Sequence, residues 1–180
     1  MLSKPLMFVL VVLALSSCSA FKVLRYMEGG GDEGVLVGSE FRSKQVVYRV
    51  GSLGEGWERV ELPGGDLAFH NPRLGAAVTV SSACGVEVRQ PLPVLASSQV
   101  IGVRNKVVLS SERLVVDGVP ALKTVWRGEV QDETVLICGI VFKRGGCVFD
   151  LVYTSVPDGY ERGLGEFLDF VHSFAFVRRP

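Results

Sequence analysis

Histidine is scarce: the 180-residue chain has only His70 and His172, and it contains no Cys-x-x-Cys pair. Neither histidine has a cysteine or the other histidine at ligand spacing, which argues against a metal site. An excess of one charge is lacking as well, because 19 Lys and Arg balance 19 Asp and Glu. Nucleic acid rewards clustered Lys and Arg, so no nucleic-acid partner is expected. No Gly-x-Ser-x-Gly occurs, which removes the exposed serine elbow of many hydrolases. The glycines of Glu28-Gly29-Gly30-Gly31-Asp32-Glu33-Gly34 lack a phosphate loop's lysine, and Asp32 and Glu33 would repel phosphate. The apolar run Pro5–Leu15 has eleven residues, where a bilayer-spanning helix needs about 20. No cofactor is expected, and no enzymatic constellation is evident.

What is present begins at the N-terminus. A weakly basic start at Met1–Lys4, the short apolar run and small residues after it make a secretory signal. Leu15-Ser16-Ser17-Cys18 resembles the lipobox of bacterial lipoproteins. That resemblance implies removal of residues 1–17, a diacylglyceryl group on the Cys18 thiol and an acyl chain, such as palmitate, on the new amine. Buried acyl chains supply about 0.8 kcal/mol per methylene, and two or more make anchoring stable. Ser19 follows the cysteine with no Asp there, which by analogy implies the outer membrane, facing the periplasm. Without its first 17 residues the chain keeps 163, enough for one domain with a real core. Being nearly neutral, the mature protein would be held to the membrane by lipid and not by charge.

Residues 18–45, with the Gly-rich stretch at their centre, read as a lipidated N-terminus and flexible tether, with short local strands open at Phe21, Val23 and Leu24 and at Val35, Leu36 and Val37, and 46–180 as one globular domain. Short strands are expected at 46–50, 57–62, 67–70 and 76–81, with Gly and Pro at the reversals. A helix is expected from Pro91, with Leu92, Leu95 and Ala96 at helical spacing. Residues 106–156 carry the strongest β signal. Asp117-Gly118 is a preferred hairpin turn, and pairing around it sets Glu112 opposite Lys123. The hairpin around Arg144-Gly145-Gly146 is apolar on both alternating faces, as in a sheet covered on both sides. At the end, Tyr160, Leu164, Phe167, Leu168, Val171 and Phe174 form a helical stripe, with Asp158 as its expected N-cap.

If Cys18 carries lipid, Cys84, Cys138 and Cys147 allow at most one bridge. Cys138 falls at least four residues beyond the position facing Cys147, about 13 Å along the strand, which exceeds the bridging limit of roughly 7 Å. Cys84 and Cys147 both stand at strand ends, so the expected disulfide joins them and leaves Cys138 buried and free. His70 and His172 are expected at the surface or on a helix flank. Asp150, set among Phe149, Leu151 and Val152, is expected partly buried with an Arg or Tyr partner.

Trp57 leading into Leu62-Pro-Gly-Gly-Asp66, the Val116-Asp-Gly-Val-Pro-Ala121 hairpin and Phe167–Phe174 resemble a known layout. It is similar to the PsbP-like fold, shared by a photosystem II extrinsic protein and a nuclear-import factor that binds the GTPase Ran. The resemblance implies an α+β domain, an antiparallel β-sheet covered by helices on both faces as an α/β/α sandwich. It also implies a non-enzymatic, partner-binding role. A lipid-anchored cell-envelope module that binds a protein or stabilises a complex is therefore expected. The alternative is an accessory or carrier module for a small apolar ligand or lipid beside a transporter.

Overall fold

The protein is described by a computed structural model at residues 34–61, 67–85 and 89–177. In chain order the first strands are β1 (Gly34–Val37), β2 (Glu40–Ser43) and β3 (Val47–Arg49). They are followed by β4 (Glu58–Glu61), β5 (Leu67–Asn71) and β6 (Ala76–Cys84), then helix α1 (Leu92–Ser98). A meander of β7 (Arg104–Val116), β8 (Val119–Val130), β9 (Glu133–Arg144) and β10 (Cys147–Ser155) leads into helix α2 (Pro157–Ser173) and β11 (Ala175–Phe176). The sheets run β1-β2-β3-β11 and β4-β5-β6-β10-β9-β8-β7, and every pairing is antiparallel. The fold is α+β.

Turn chemistry sets the meander. Asp117 and Gly118 have φ of 45° and 76°, Gln131 and Asp132 51° and 69°, and Gly145 and Gly146 63° and 81°. Paired positive φ values suit two-residue hairpin turns, whose twist matches the strands they join. Glu112 lies opposite Lys123, as the Asp117-Gly118 turn requires, and Lys123 Nζ meets Glu112 Oε1 at 2.5 Å.

Alternation along β9 and β10 feeds two hydrophobic clusters. Ile140, Phe142, Phe149, Leu151 and Tyr153 pack with Phe167 and Phe170 of α2 and with Phe41 and Tyr48 of the small sheet. Ile137, Val141, Val148 and Val152 pack with Leu95, Ala96 and the following Val100. Aromatic rings join the two sheets: Tyr48 meets Phe149 edge-on at 6.0 Å and Phe176 meets Phe149 edge-on at 5.0 Å. The hydroxyl of Tyr153 donates to the Tyr160 carbonyl at 2.9 Å, tying β10 to the first turn of α2.

Three expectations change. β1 and β2 lie inside the 18–45 span read as tether, and Phe41, 2% exposed, belongs to the core. Ordered structure therefore begins no later than Gly34, because one buried aromatic side chain offsets the backbone entropy of neighbouring glycines. Second, Val156 and not Asp158 is the N-cap of α2. Pro157 supplies a preset φ at the helix start, and Asp158 sits in the first turn, where the helix dipole favours its charge. Third, the strands expected at 46–50, 57–62, 67–70 and 76–81 read as one run of neighbours, yet strand 47–49 belongs to the small sheet and the other three to the large one. The signal at 1–17, Cys18 and the glycine run through Glu33 lie outside the described residues.

Candidate functional site

Cys84 and Cys147 face each other in register at the ends of β6 and β10 and are joined by a disulfide. Cys138 faces Tyr153, six residues along β9 from Arg144, which faces Cys147, and is buried and free. Burial pushes its thiol up to about 11, so little thiolate forms near neutrality.

Asp150 alternates with Val148 and Val152 on the face of β10 that meets α1. Its partner is an amide, neither Arg nor Tyr: Gln99 Nε2 donates to Asp150 Oδ1 at 2.7 Å and to the Ile140 carbonyl at 3.3 Å. Gln99 closes the C-terminal end of α1, so this contact clasps the helix to the sheet. A Cβ at Gly139 would collide with Gln99 Oε1 and lie 2.9 Å from the Trp126 ring, so glycine makes room for the clasp. Gln99 Oε1 is buried without a hydrogen-bond partner. Burial pushes Asp150 up to about 6, against the hydrogen bond from Gln99, which lowers it.

His70 is not at the surface but only 7% exposed, because β5 is an inner strand of the large sheet. Burial holds its pKa below the usual value, while the Glu58 charge works the other way. His172 is exposed near the end of α2. His70 aligns with Ala77 and, through it, with Thr154, four residues along β10 from Asp150. At strand rise that offset alone is about 13 Å. Cys147 alternates to the opposite face from Asp150 and is held in the disulfide. These three side chains therefore do not converge on one reacting atom. Among the described residues, no three of His, Cys, Asp and Glu group so as to hold a metal ion.

The exposed apolar surface is unevenly distributed. Six of the eight most exposed large aliphatics among the described residues are Val94, Ile101, Val107, Val108, Leu109 and Val115. They fall on α1, the turn after it and β7, the terminal strand of the large sheet. Beside them, Pro93, Ala96, Val108, Leu122 and Trp126 help to line a 170 Å³ cavity between α1 and the β7–β8 hairpin. A 310 Å³ cavity lies elsewhere, among Val46, Val47, Phe149, Phe176 and Arg144. The Arg144 guanidinium stacks 4.3 Å from the centre of the Phe176 ring, and its Nη1 lies 3.4 Å from Asp117 Oδ2. Neither the role of Gln99 nor the exposed β7 edge is legible in the sequence. A Val-Val-Leu run looks alike in a covered strand and in an edge strand.

Among the described residues, no helix is long and apolar enough to cross a membrane. Neither a family model nor a curated protein matches the sequence. Solved structures match in shape. LpqN of Mycobacterium tuberculosis, described as involved in cell envelope biogenesis, has 10% identity and a TM-score of 0.53 over 81% of this chain and 90% of its own. A Bacteroides thetaiotaomicron protein has 11% identity and a TM-score of 0.52, covering 73% of this chain and 46% of that one. The cyanobacterial PsbP, CyanoP, from Synechocystis sp. PCC 6803 has 14% identity and a TM-score of 0.52 over 91% of this chain and 99% of its own. The fold is thus PsbP-like.

Proposed function

We propose that the chain is a lipid-anchored, non-catalytic envelope protein whose domain binds a protein partner or stabilises a complex. In this reading Cys18 carries the acyl chains at the outer membrane, facing the periplasm, and α1 and α2 cover opposite faces of the large sheet as an α/β/α sandwich. The observation that carries it is the gathering of exposed Val94, Ile101, Val107, Val108, Leu109 and Val115 along one flank. Exposed aliphatics collected on a terminal strand and the helix beside it mark contact sites in soluble domains. The separation of His70, Asp150 and Cys147 supports a role without catalysis. The fold shared with LpqN, a protein of envelope biogenesis, is compatible with the location. The test is affinity purification of the full chain from its own membranes in two detergents, with reciprocal tagging of any protein recovered. The reading expects one stoichiometric protein in both detergents, and a bait that returns only itself contradicts it.

A second reading is favoured by the 310 Å³ cavity, whose volume reaches the low end of small-molecule pockets, roughly 300–1,000 Å³. There the protein is a carrier or accessory module for a small apolar ligand or lipid, seated against Val46, Val47, Phe149 and Phe176. Native mass spectrometry of the extracted protein would show a co-purifying ligand, and a clean apo mass would contradict it.

A further inference from the structure

We propose that the free edge of β7 receives an extended segment of a partner protein as an added strand, one that sets a carboxylate against Arg113 and an aliphatic side chain against α1. This rests on the reading that the domain binds a protein, and it names where and with what chemistry.

Among the described residues β7 has β8 on one side only, so a row of its backbone N–H and C=O groups faces away from the sheet. Such an edge is a template for another strand. Pairing with β8 is irregular between Arg104 and Val107 and between Val108 and Ser110, and regular from Ser110 to Val116. Bulges twist an edge and interrupt its ladder, so the regular stretch is the part fit for an incoming strand. On the α1 side of that stretch stand Ser111, Arg113 and Val115, opposite Thr124, Leu122 and Pro120. Ser111 and Thr124 hydroxyls lie 3.3 Å apart, which fixes that face. The 170 Å³ cavity bounded by Pro93, Ala96, Val108, Leu122 and Trp126 opens beside this row and has room for one branched aliphatic side chain.

Charge selects the occupant. Arg104 pairs with Asp132, Lys123 with Glu112 and Arg144 with Asp117, and Lys106 Nζ donates to the Val100 carbonyl. Arg127, next to Trp126 on β8, alternates to the other face of the sheet from Arg113. Arg113 is exposed and has no ion-pair partner among the described residues. Full overlap of Ser110–Val116 with the same strand of a second copy would centre on Arg113 and set two guanidiniums face to face. Like charges directly opposite destabilise a strand pair. A different chain carrying Asp or Glu opposite Arg113, flanked by aliphatics, satisfies the same edge without that repulsion.

The experiment uses the full chain in its own membranes, with a benzoylphenylalanine photocrosslinker in place of Ser111 and, as control, of exposed Asp169 on α2. The proposal expects a discrete protein adduct from position 111 and none from 169. Sequencing of the adduct should find a partner peptide with alternating aliphatics and an Asp or Glu. Arg113→Glu should cut the adduct yield several-fold and Arg113→Lys should retain most of it, both with unchanged melting temperatures. Equal adducts from both positions, an adduct with a second copy or with lipid alone, or a yield indifferent to Arg113→Glu would overturn it. A partner recovered by affinity purification but never crosslinked from position 111 sinks the β7 proposal and spares the partner-binding reading. No partner by either route sinks both.

Discussion

Asp150→Asn makes the clasp between α1 and the sheet measurable. Burial places the Asp150 carboxyl near 6, against an ordinary 3.8, with the Gln99 amide as its hydrogen-bond donor. The unfolded chain thus releases this proton about two pH units earlier than the folded one. Between those values the folded state binds more protons, so stability is fullest below about pH 4 and falls as pH rises through 6. At about 1.4 kcal/mol per unit, the loss amounts to roughly 3 kcal/mol at pH 8. Asparagine keeps the Oδ1 acceptor for Gln99 Nε2 and carries no charge to desolvate. Urea unfolding followed by circular dichroism should show variant and wild type within about 1 kcal/mol at pH 4. At pH 8 the variant should be about 2–3 kcal/mol more stable. His70 has the opposite slope: burial lowers its pKa, so its contribution is present above the ordinary 6.5 and is lost as pH falls through the lowered value. Both chains share it, so it cancels in the difference between them. A difference that stays constant with pH, or a wild type more stable at pH 8, would refute the reasoning.

Other perturbations follow from the same contacts. Reduction, or replacement of Cys84 and Cys147 by serine, should cost about 4 kcal/mol in urea unfolding, because the bridge closes a separation of 63 residues. An unchanged unfolding midpoint would contradict a formed disulfide. Gly159→Ala should destabilise by about 2–3 kcal/mol or more, since its Cβ would run into the Leu74 carbonyl and lie 2.8 Å from Ser155 Oγ. A neutral result by thermal melting would mean that α2 does not seat on that turn. Cys138 should resist iodoacetamide in the folded protein and react on unfolding, because it is buried with its thiol pushed up to about 11. Rapid labelling at neutral pH without denaturant would contradict its placement between β8 and β10.

What was legible in the sequence was local. Asp117-Gly118 needs only its own backbone preferences to make a turn, and the turn then dictates that Glu112 meets Lys123. The doubly apolar strands around Gly145-Gly146 showed that both faces of the hairpin are packed. The stripe through Tyr160, Phe167 and Val171 likewise identified α2, although it missed Phe170, which is also buried. Apart from the Cys84–Cys147 bridge, contacts distant in sequence were not legible. Gln99 and Asp150 are 51 positions apart, and nothing in either segment names the other. Gly-rich surroundings hid β2 and the place of both strands in the domain, because glycine speaks for backbone entropy and not for Phe41, whose burial depends on Tyr48 and the closing aromatics. His70 looked like a strand end, yet β4 and β6 flank it on both sides. The candidate docking edge was hidden for the same reason: sequence shows that Val107-Val108-Leu109 is a strand but not that the sheet stops there.

The proposed role depends first on acyl chains that hold this domain to a membrane. Cells expressing the wild-type chain or Cys18→Ser, grown with labelled palmitate and then fractionated, measure this directly. A lipid anchor at Cys18 predicts label on the wild type alone, with the wild type in the membrane fraction and the variant released. Label on neither chain, with both washing off equally, would contradict it.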